Sequence, residues 1–174
     1  MEADEKKTEM IEWIRDLIIA LIIAVCVSFF VKPTVVAGES MEPNFRDGDY
    51  LIAVRIFGVD SLKKGDVVTF KGPEGDLYIK RVIGVPGDSI EIRDHKVYIN
   101  GKEDDQSYTK DGETDEELSV IVSEGAVFCM GDNRNNSHDS RDDDIGCIGM
   151  DRLKWTVKAR ILPLNSITAE LNVY

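Results

Sequence analysis

Three observations predict a mostly β fold, an antiparallel β domain behind one N-terminal transmembrane helix. Only one stretch, Leu17 to Val31, is apolar enough to enter a bilayer. Beyond Pro33 the chain breaks into short β-rich runs separated by Gly, Asp, Asn and Pro, with almost no sustained helical periodicity. Once the first thirty-odd of its 174 residues are set aside, about 140 remain, enough for one sizeable core.

The run Leu17–Val31 (LIIALIIAVCVSFFV) carries no charge, and Ile11, Trp13 and Ile14 extend it toward the roughly 20 residues that hydrocarbon requires. Trp13 suits an interfacial position and Lys32 can snorkel. Lys6, Lys7 and Arg15 precede the span, whereas only Lys32 and Arg46 follow closely, which favours a cytoplasmic N-terminus. The division expected is residues 1–32 as cytoplasmic tail and anchor, and 33–174 as an extracytoplasmic domain at the plasma membrane. A charged leader, an apolar run and Val35-Val36-Ala37 also fit a cleavable signal peptide, cut after Ala37, which would release the domain from the surface.

The formal net charge is −12, and 17 Lys plus Arg against 27 Asp plus Glu from Pro33 onward still leave −10. Such acidity is wrong for phosphate neutralisation and excludes nucleic acid as a natural partner. It also repels anionic headgroups, so contact with membrane lipid is expected from apolar burial and not from a basic patch.

Strand character begins with Tyr50–Val54 after Asp47-Gly48-Asp49, and continues in Asp66–Phe70 after Lys64-Gly65. Leu77–Val85 ends at Pro86-Gly87. Ser89–Arg93 and Lys96–Asn100 are two residues apart, so Asp94-His95 reads as a two-residue hairpin turn whose geometry, not chemistry, explains His95. The acidic segment 102–119 reads as a mobile surface excursion. Val120–Val122 and Ala126–Met130 resume strand character, and Trp155–Leu162 supplies a late strand. Cys26 lies in the span, while Cys129 and Cys147 could be paired or free. Neither Cys-X-X-Cys nor a His cluster occurs, so no metal is expected.

Three segments carry candidate chemistry. Ser40 lies in Gly38-Glu39-Ser40-Met41-Glu42-Pro43, where Pro43 biases the backbone away from helix and Met41 offers a flexible apolar contact for lipid or substrate. Lys80 lies in Tyr78-Ile79-Lys80-Arg81-Val82-Ile83-Gly84; alternation sets it beside Tyr78 and Val82, opposite Ile79, Arg81 and Ile83. Burial there would lower its pKa and give an amine able to take a proton from a serine hydroxyl. In Gly131-Asp132-Asn133-Arg134-Asn135-Asn136-Ser137-His138-Asp139-Ser140-Arg141, an extended backbone would set Ser137, Asp139 and Arg141 on one face, with His138 and Ser140 pointing away. The rival is a Ser40, His138, Asp139 triad, which requires Asp139 to orient the imidazole of its own neighbour.

Ser-Met-Glu-Pro, Gly-Asp-Val-Val, Tyr-Ile-Lys-Arg-Val-Ile-Gly-Val-Pro-Gly-Asp and Gly-Asp-Asn-Arg-Asn-Asn-Ser-His-Asp-Ser-Arg, in that order behind an N-terminal span, resemble the bacterial type I signal peptidase (leader peptidase) family. The resemblance implies a membrane-bound serine endopeptidase that removes signal peptides from secretory preproteins after small residues of the Ala-X-Ala type, with no cofactor. It implies Ser40 as nucleophile, Lys80 as general base, Ser137 holding the lysine amine, and Asp139 with Arg141 and Arg81 with Asp132 as structural pairs. Gly38 stands where some members carry a hydroxyl for the oxyanion, which leaves backbone N–H groups around Gly38, including that of Ser40, for that work. Asn44 stands where Thr is common, and Asp142-Asp143-Asp144 is unusually acidic. A specialised maturation peptidase of the same type and a non-catalytic anchored binding domain are the alternatives.

Overall fold

The structure, a computed structural model, describes residues 2–110 and 114–163. It opens with helix α1 (Glu2–Phe30), whose segment Glu9–Phe30 is 22 residues long with mean hydropathy 2.2 and no side chain buried by the rest of the protein. At 1.5 Å per residue this segment is about 33 Å long, matching a hydrocarbon core of about 30 Å. The chain passes from the helix directly into strand β1 (Val31–Val35), so the boundary expected after residue 32 falls inside a strand. Val31, counted with the apolar span in the sequence, instead opens the sheet.

Ten further strands follow: β2 (Tyr50–Arg55), β3 (Val67–Lys71), β4 (Leu77–Gly84), β5 (Ser89–Arg93), β6 (Lys96–Ile99), β7 (Lys102–Glu103), β8 (Leu118–Ile121), β9 (Ala126–Met130), β10 (Ile148–Gly149) and β11 (Leu153–Leu162). They form a seven-stranded sheet in the order β1-β2-β11-β3-β4-β9-β10 and a four-stranded sheet in the order β7-β6-β5-β8. Every pairing is antiparallel, as the Gly- and Asp-punctuated sequence predicts.

Alternation along β4 and β9 builds the core in layers. Val82, Val127 and Cys129 face one cluster with Val68, Phe70 and Ile148. Ile83, Phe128 and Met130 face the opposite side and pack on Ile90, Ile92 and Val97 of the small sheet. Each such buried side chain contributes about 1.5–3 kcal/mol. A third cluster, with Val36, Met41, Phe45, Leu51 and Ile79, lies beneath the residues that follow β1. Met41 is therefore fully buried, a correction to its expected place against lipid or substrate. The sheet leaves a core under that turn, and Met41 and Phe45 fill it from above.

The segment 102–119 also departs from expectation. Asp104, Tyr108, Thr109 and Thr114 are buried, because Tyr108 joins the small-sheet core and the polar groups around it bond one another. Cys129 and Cys147 are free; Cys129 faces the first cluster and Cys147 packs against the second, on the other side of β9.

Asp94 and His95 adopt φ of 51° and 62° between the paired residues Arg93 and Lys96, the left-handed turn that a two-residue hairpin requires. Replacing His95 with Gly should therefore leave thermal unfolding unchanged or slightly raise it. His95→Val should cost about 1–2 kcal/mol, because a β-branched residue is strained there.

Candidate active site

The register of the sheet decides which residues can meet. β4 pairs with β9 through Arg81↔Met130 and Val82↔Cys129, so the residues just past Met130 leave the sheet beside Arg81 and Lys80. On the far side of the resulting cleft, the turn after β1 carries Ser40. Gly38 has φ +87°, a conformation that disfavours any side chain, which accounts for the missing hydroxyl at that position.

Lys80 Nζ lies 2.8 Å from Ser40 Oγ. Lys80 is 5% exposed, and burial, its dominant influence, lowers its pKa from 10.5 to about 8, with Arg141 adding to the fall while Asp139, Cys129 and Asp132 oppose it. As an ammonium the lysine donates to Ser40 Oγ. As a neutral amine it accepts the hydroxyl proton, the arrangement a general base needs. The ring of Tyr78, on the same face of β4, stands 5.4 Å from the amine.

The loop 131–141 holds both groups. The Asn133 N–H donates to the Ser40 carbonyl at 3.0 Å, and Asn133 Nδ2 donates to the Glu39 carbonyl at 3.1 Å. Asp132 accepts two hydrogen bonds from Arg81, at 2.8 and 2.7 Å, and a third from Asn44 Nδ2 at 2.8 Å. Asn44 Nδ2 also donates to the Tyr108 carbonyl, so the departure from Thr at this position ties the turn that carries Ser40 to segment 102–119. The buried Arg134 guanidinium bonds the Gly131 carbonyl, Gln106 and the Tyr108 hydroxyl, closing the same connection. Asn133 and Arg134 had no individual signal in the sequence beyond the density of polar residues in a β-rich neighbourhood, and Asn44 stood out only as a departure from Thr.

Ser137, Asp139 and Arg141 do converge, but through turns, with Asn136 N–H bonded to the Asn133 carbonyl and Asp142 N–H to the Asp139 carbonyl, and not by strand alternation. Arg141 grips Asp139 at 2.8 and 2.9 Å, and Ser137 Oγ donates to Asp139 Oδ2 at 2.7 Å. Burial alone would raise the Asp139 pKa, yet the bonds and charge of Arg141, the Gly131 N–H and the Ser137 hydroxyl hold it below the usual carboxylate range. The hydrogen bond Ser137 makes is thus to this carboxylate, where the resemblance implied the lysine amine. The Gly38 N–H donates to Asp47 Oδ1 at 2.8 Å, whereas the Ser40 N–H has no acceptor among the described residues. His138 bonds Tyr78 Oη at 3.2 Å and Asp144 at 2.9 Å, so the imidazole is committed away from Ser40 and the Ser-His-Asp rival is not assembled. Among the described residues no group of three or more His, Cys, Asp or Glu could hold a metal.

Gly131 makes the close approach possible: a Cβ there would stand 2.5 Å from the Ser40 carbonyl oxygen and closer still to Ser137 Oγ. Gly131→Ala should part the two walls and let water reach the amine. NMR titration of Lys80 should then show its pKa returning from about 8 toward 10.5.

A family profile described as "Signal peptidase, peptidase S26" matches residues 10–162. The chain is 35% identical to Signal peptidase I of Bacillus licheniformis over 179 residues, covering 95% of this chain and 96% of the relative. It is also 35% identical to Signal peptidase IB of Staphylococcus aureus over 187 residues, with the same coverage. A solved signal peptidase I from Enterococcus faecalis V583 aligns with 28% identity and a TM-score of 0.49, covering 56% of this chain and 97% of that one. By the family profile and the near full-length relatives, the chain belongs to the signal peptidase family, peptidase S26.

Proposed function

We propose that this chain is an anchored signal peptidase I that cuts the leader from secretory preproteins with a Ser40/Lys80 dyad. As a member of its family it is a serine endopeptidase. The observation that carries the dyad is the 2.8 Å approach of a buried amine, with pKa near 8, to Ser40 Oγ. Ser40 attacks the substrate carbonyl as its proton passes to Lys80 Nζ, and the Ser40 N–H donates to the oxyanion that forms. Lys80 then protonates the leaving amine, and in its neutral form activates the water that hydrolyses the acyl-enzyme. Arg81 with Asp132 and Arg141 with Asp139 touch no reacting atom; they fix the loop that positions the base and nucleophile.

A cleft of about 560 Å³ runs past the dyad, with Thr34 and Val35 on one wall and Leu77 and Ile79 on the other. β1 is the edge of its sheet, and β9 pairs only with Arg81, Val82 and Gly84, leaving one side of Leu77–Lys80 unpaired among the described strands. An extended substrate segment can bond these two strand edges through its main chain. The apolar walls, with Ala37 and the Tyr78 ring, suit small side chains such as Ala one and three residues before the cut. Helix α1 holds this cleft at the membrane surface, with the N-terminus cytoplasmic and the domain outside.

Incubating a purified preprotein with the wild-type chain should release a mature protein whose N-terminal sequence begins after a small residue. Ser40→Ala and Lys80→Ala should each lower kcat/KM about a thousandfold or more, and activity retained by either variant would overturn the dyad. A panel of unrelated preproteins separates a general enzyme, which cuts most, from a specialised one, which cuts one.

The pH profile follows from the burial of Lys80. With a pKa near 8, about a tenth of the amine is neutral at pH 7, so kcat/KM should rise with pH and level off above about 8. A profile flat from pH 6 to 9, a range about one unit or more either side of that pKa, would remove Lys80 as the base.

A further inference from the structure

We propose that the end of the large sheet that meets helix α1 is a binding surface for the phosphate headgroups of anionic lipid, built on Lys32, Arg55 and Trp155. The proposal rests on the anchored reading above and names the lipid chemistry that the anchored domain meets.

The acidity of the chain is not spread evenly. Strands β1, β2 and β11 contain Lys32, Arg55, Lys154, Lys158 and Arg160 and not one carboxylate, in a chain of net charge −12. Arg160 is committed to Asp49 at 2.9 Å, and Lys154 donates to the Asp151 carbonyl. Lys32 and Arg55 are exposed and, among the described residues, neither is paired with a carboxylate. The sheet brings them together: Arg55 lies opposite Trp155, and Lys32 opposite Ala53 on the neighbouring strand pair. Lys32 Nζ stands 5.8 Å from the Trp155 ring, and Arg55 Cζ lies 5.5 Å from that ring and 4.3 Å from Phe29.

Their height relative to a bilayer is fixed by the covalent chain. Phe29 and Phe30 are the last residues of the spanning helix and Lys32 the second of β1, so the cluster sits where hydrocarbon gives way to headgroups. Phe57, 67% exposed and 5.9 Å from the ring of Phe30, continues the apolar surface. Two cations resting on aromatic faces keep their charge and their outward N–H groups, which suits a phosphate, while a tryptophan beside them favours the interface. The acidic remainder of the domain is repelled by the same lipid surface, so attraction is confined to this end.

The test uses the full chain reconstituted in vesicles of phosphatidylcholine, or of an equal mixture of phosphatidylcholine and phosphatidylglycerol. Trp13→Phe leaves Trp155 as the sole tryptophan, and lipids brominated on the acyl chain near the headgroup quench it when it docks. Quenching should be severalfold greater in the anionic vesicles and fall in about 1 M salt, where the Debye length is about 3 Å. Lys32→Gln with Arg55→Gln should abolish the difference, since each cation near such a surface is worth on the order of fivefold in affinity. Arg55→Lys, which keeps the charge, should retain it. Cleavage of a short water-soluble peptide should be the same for all variants. Equal quenching in both vesicles, or a difference surviving in the double Gln variant, overturns the headgroup surface while leaving the anchor intact. Loss in Arg55→Lys as well would assign the effect to packing and overturn it too. Failure to float with either vesicle would overturn the anchor, and this proposal with it.

Discussion

The dependence of this structure on one contact, a lysine amine withdrawn from water and laid against a serine hydroxyl, is physical before it is functional. Moving Lys80 from a pKa of 10.5 to about 8 corresponds to a cost on the order of 3 kcal/mol for folding it in the charged form. Because the folded pKa is the lower one, that penalty is complete below about pH 8 and is relieved as pH rises toward 10.5. The fold bears it by placing Lys80 mid-strand, in register with Val68 and between Tyr78 and Val82 on one face of β4, so that the amine meets solvent only through the cleft.

What surrounds that amine is charged, yet arranged so that the charges cancel in pairs. Asp139 would hold the lysine protonated if it were unopposed; Arg141, bonded to the same carboxylate, offsets it. Arg81 and Asp132 repeat the device on the other face of β4, with Asn44 linking them to the turn that carries Ser40. Truncating one partner of such a buried pair strands the other, so their worth lies in orientation more than in net stability. Segment 104–110 belongs to the same framework: Tyr108 and Gln106 receive Arg134, and the Lys110 N–H donates to the Asp132 carbonyl.

The junction of helix and sheet is a second constraint. With no linker between α1 and β1, the edge strand that lines the cleft continues directly from the apolar helix, and the distance of the cleft from the end of that helix is set by a few residues of covalent chain. Residues 33–35, for which no strand was expected from the sequence, are therefore paired strand.

Much of this was legible in order and in kind. Gly- and Asp-bounded β-branched runs located β2 to β6, β9 and β11 to within a residue or two, because turn chemistry and period-two alternation are local properties. The positive φ of Asp94 and His95, the two-faced alternation of β4 and the apolar span are equally local. The motifs named Ser40 and Lys80 through family resemblance. Their 2.8 Å contact, and the lowered pKa that follows from burial, belong to the tertiary structure, since 40 positions separate them and only the β4–β9 register and the turn after β1 close that distance. The same holds for what sequence misassigned. Met41 is buried because a core cluster lies beneath its turn, and 102–119 is partly interior because Arg134, far along the chain, binds it. Ser137 spends its proton on Asp139 because the loop turns there. Composition sums charge over the whole chain and reports −12; pairing of β1, β2 and β11 brings Lys32 and Arg55 together beside Trp155 at the foot of the helix, a distribution that exists only once the strands are side by side.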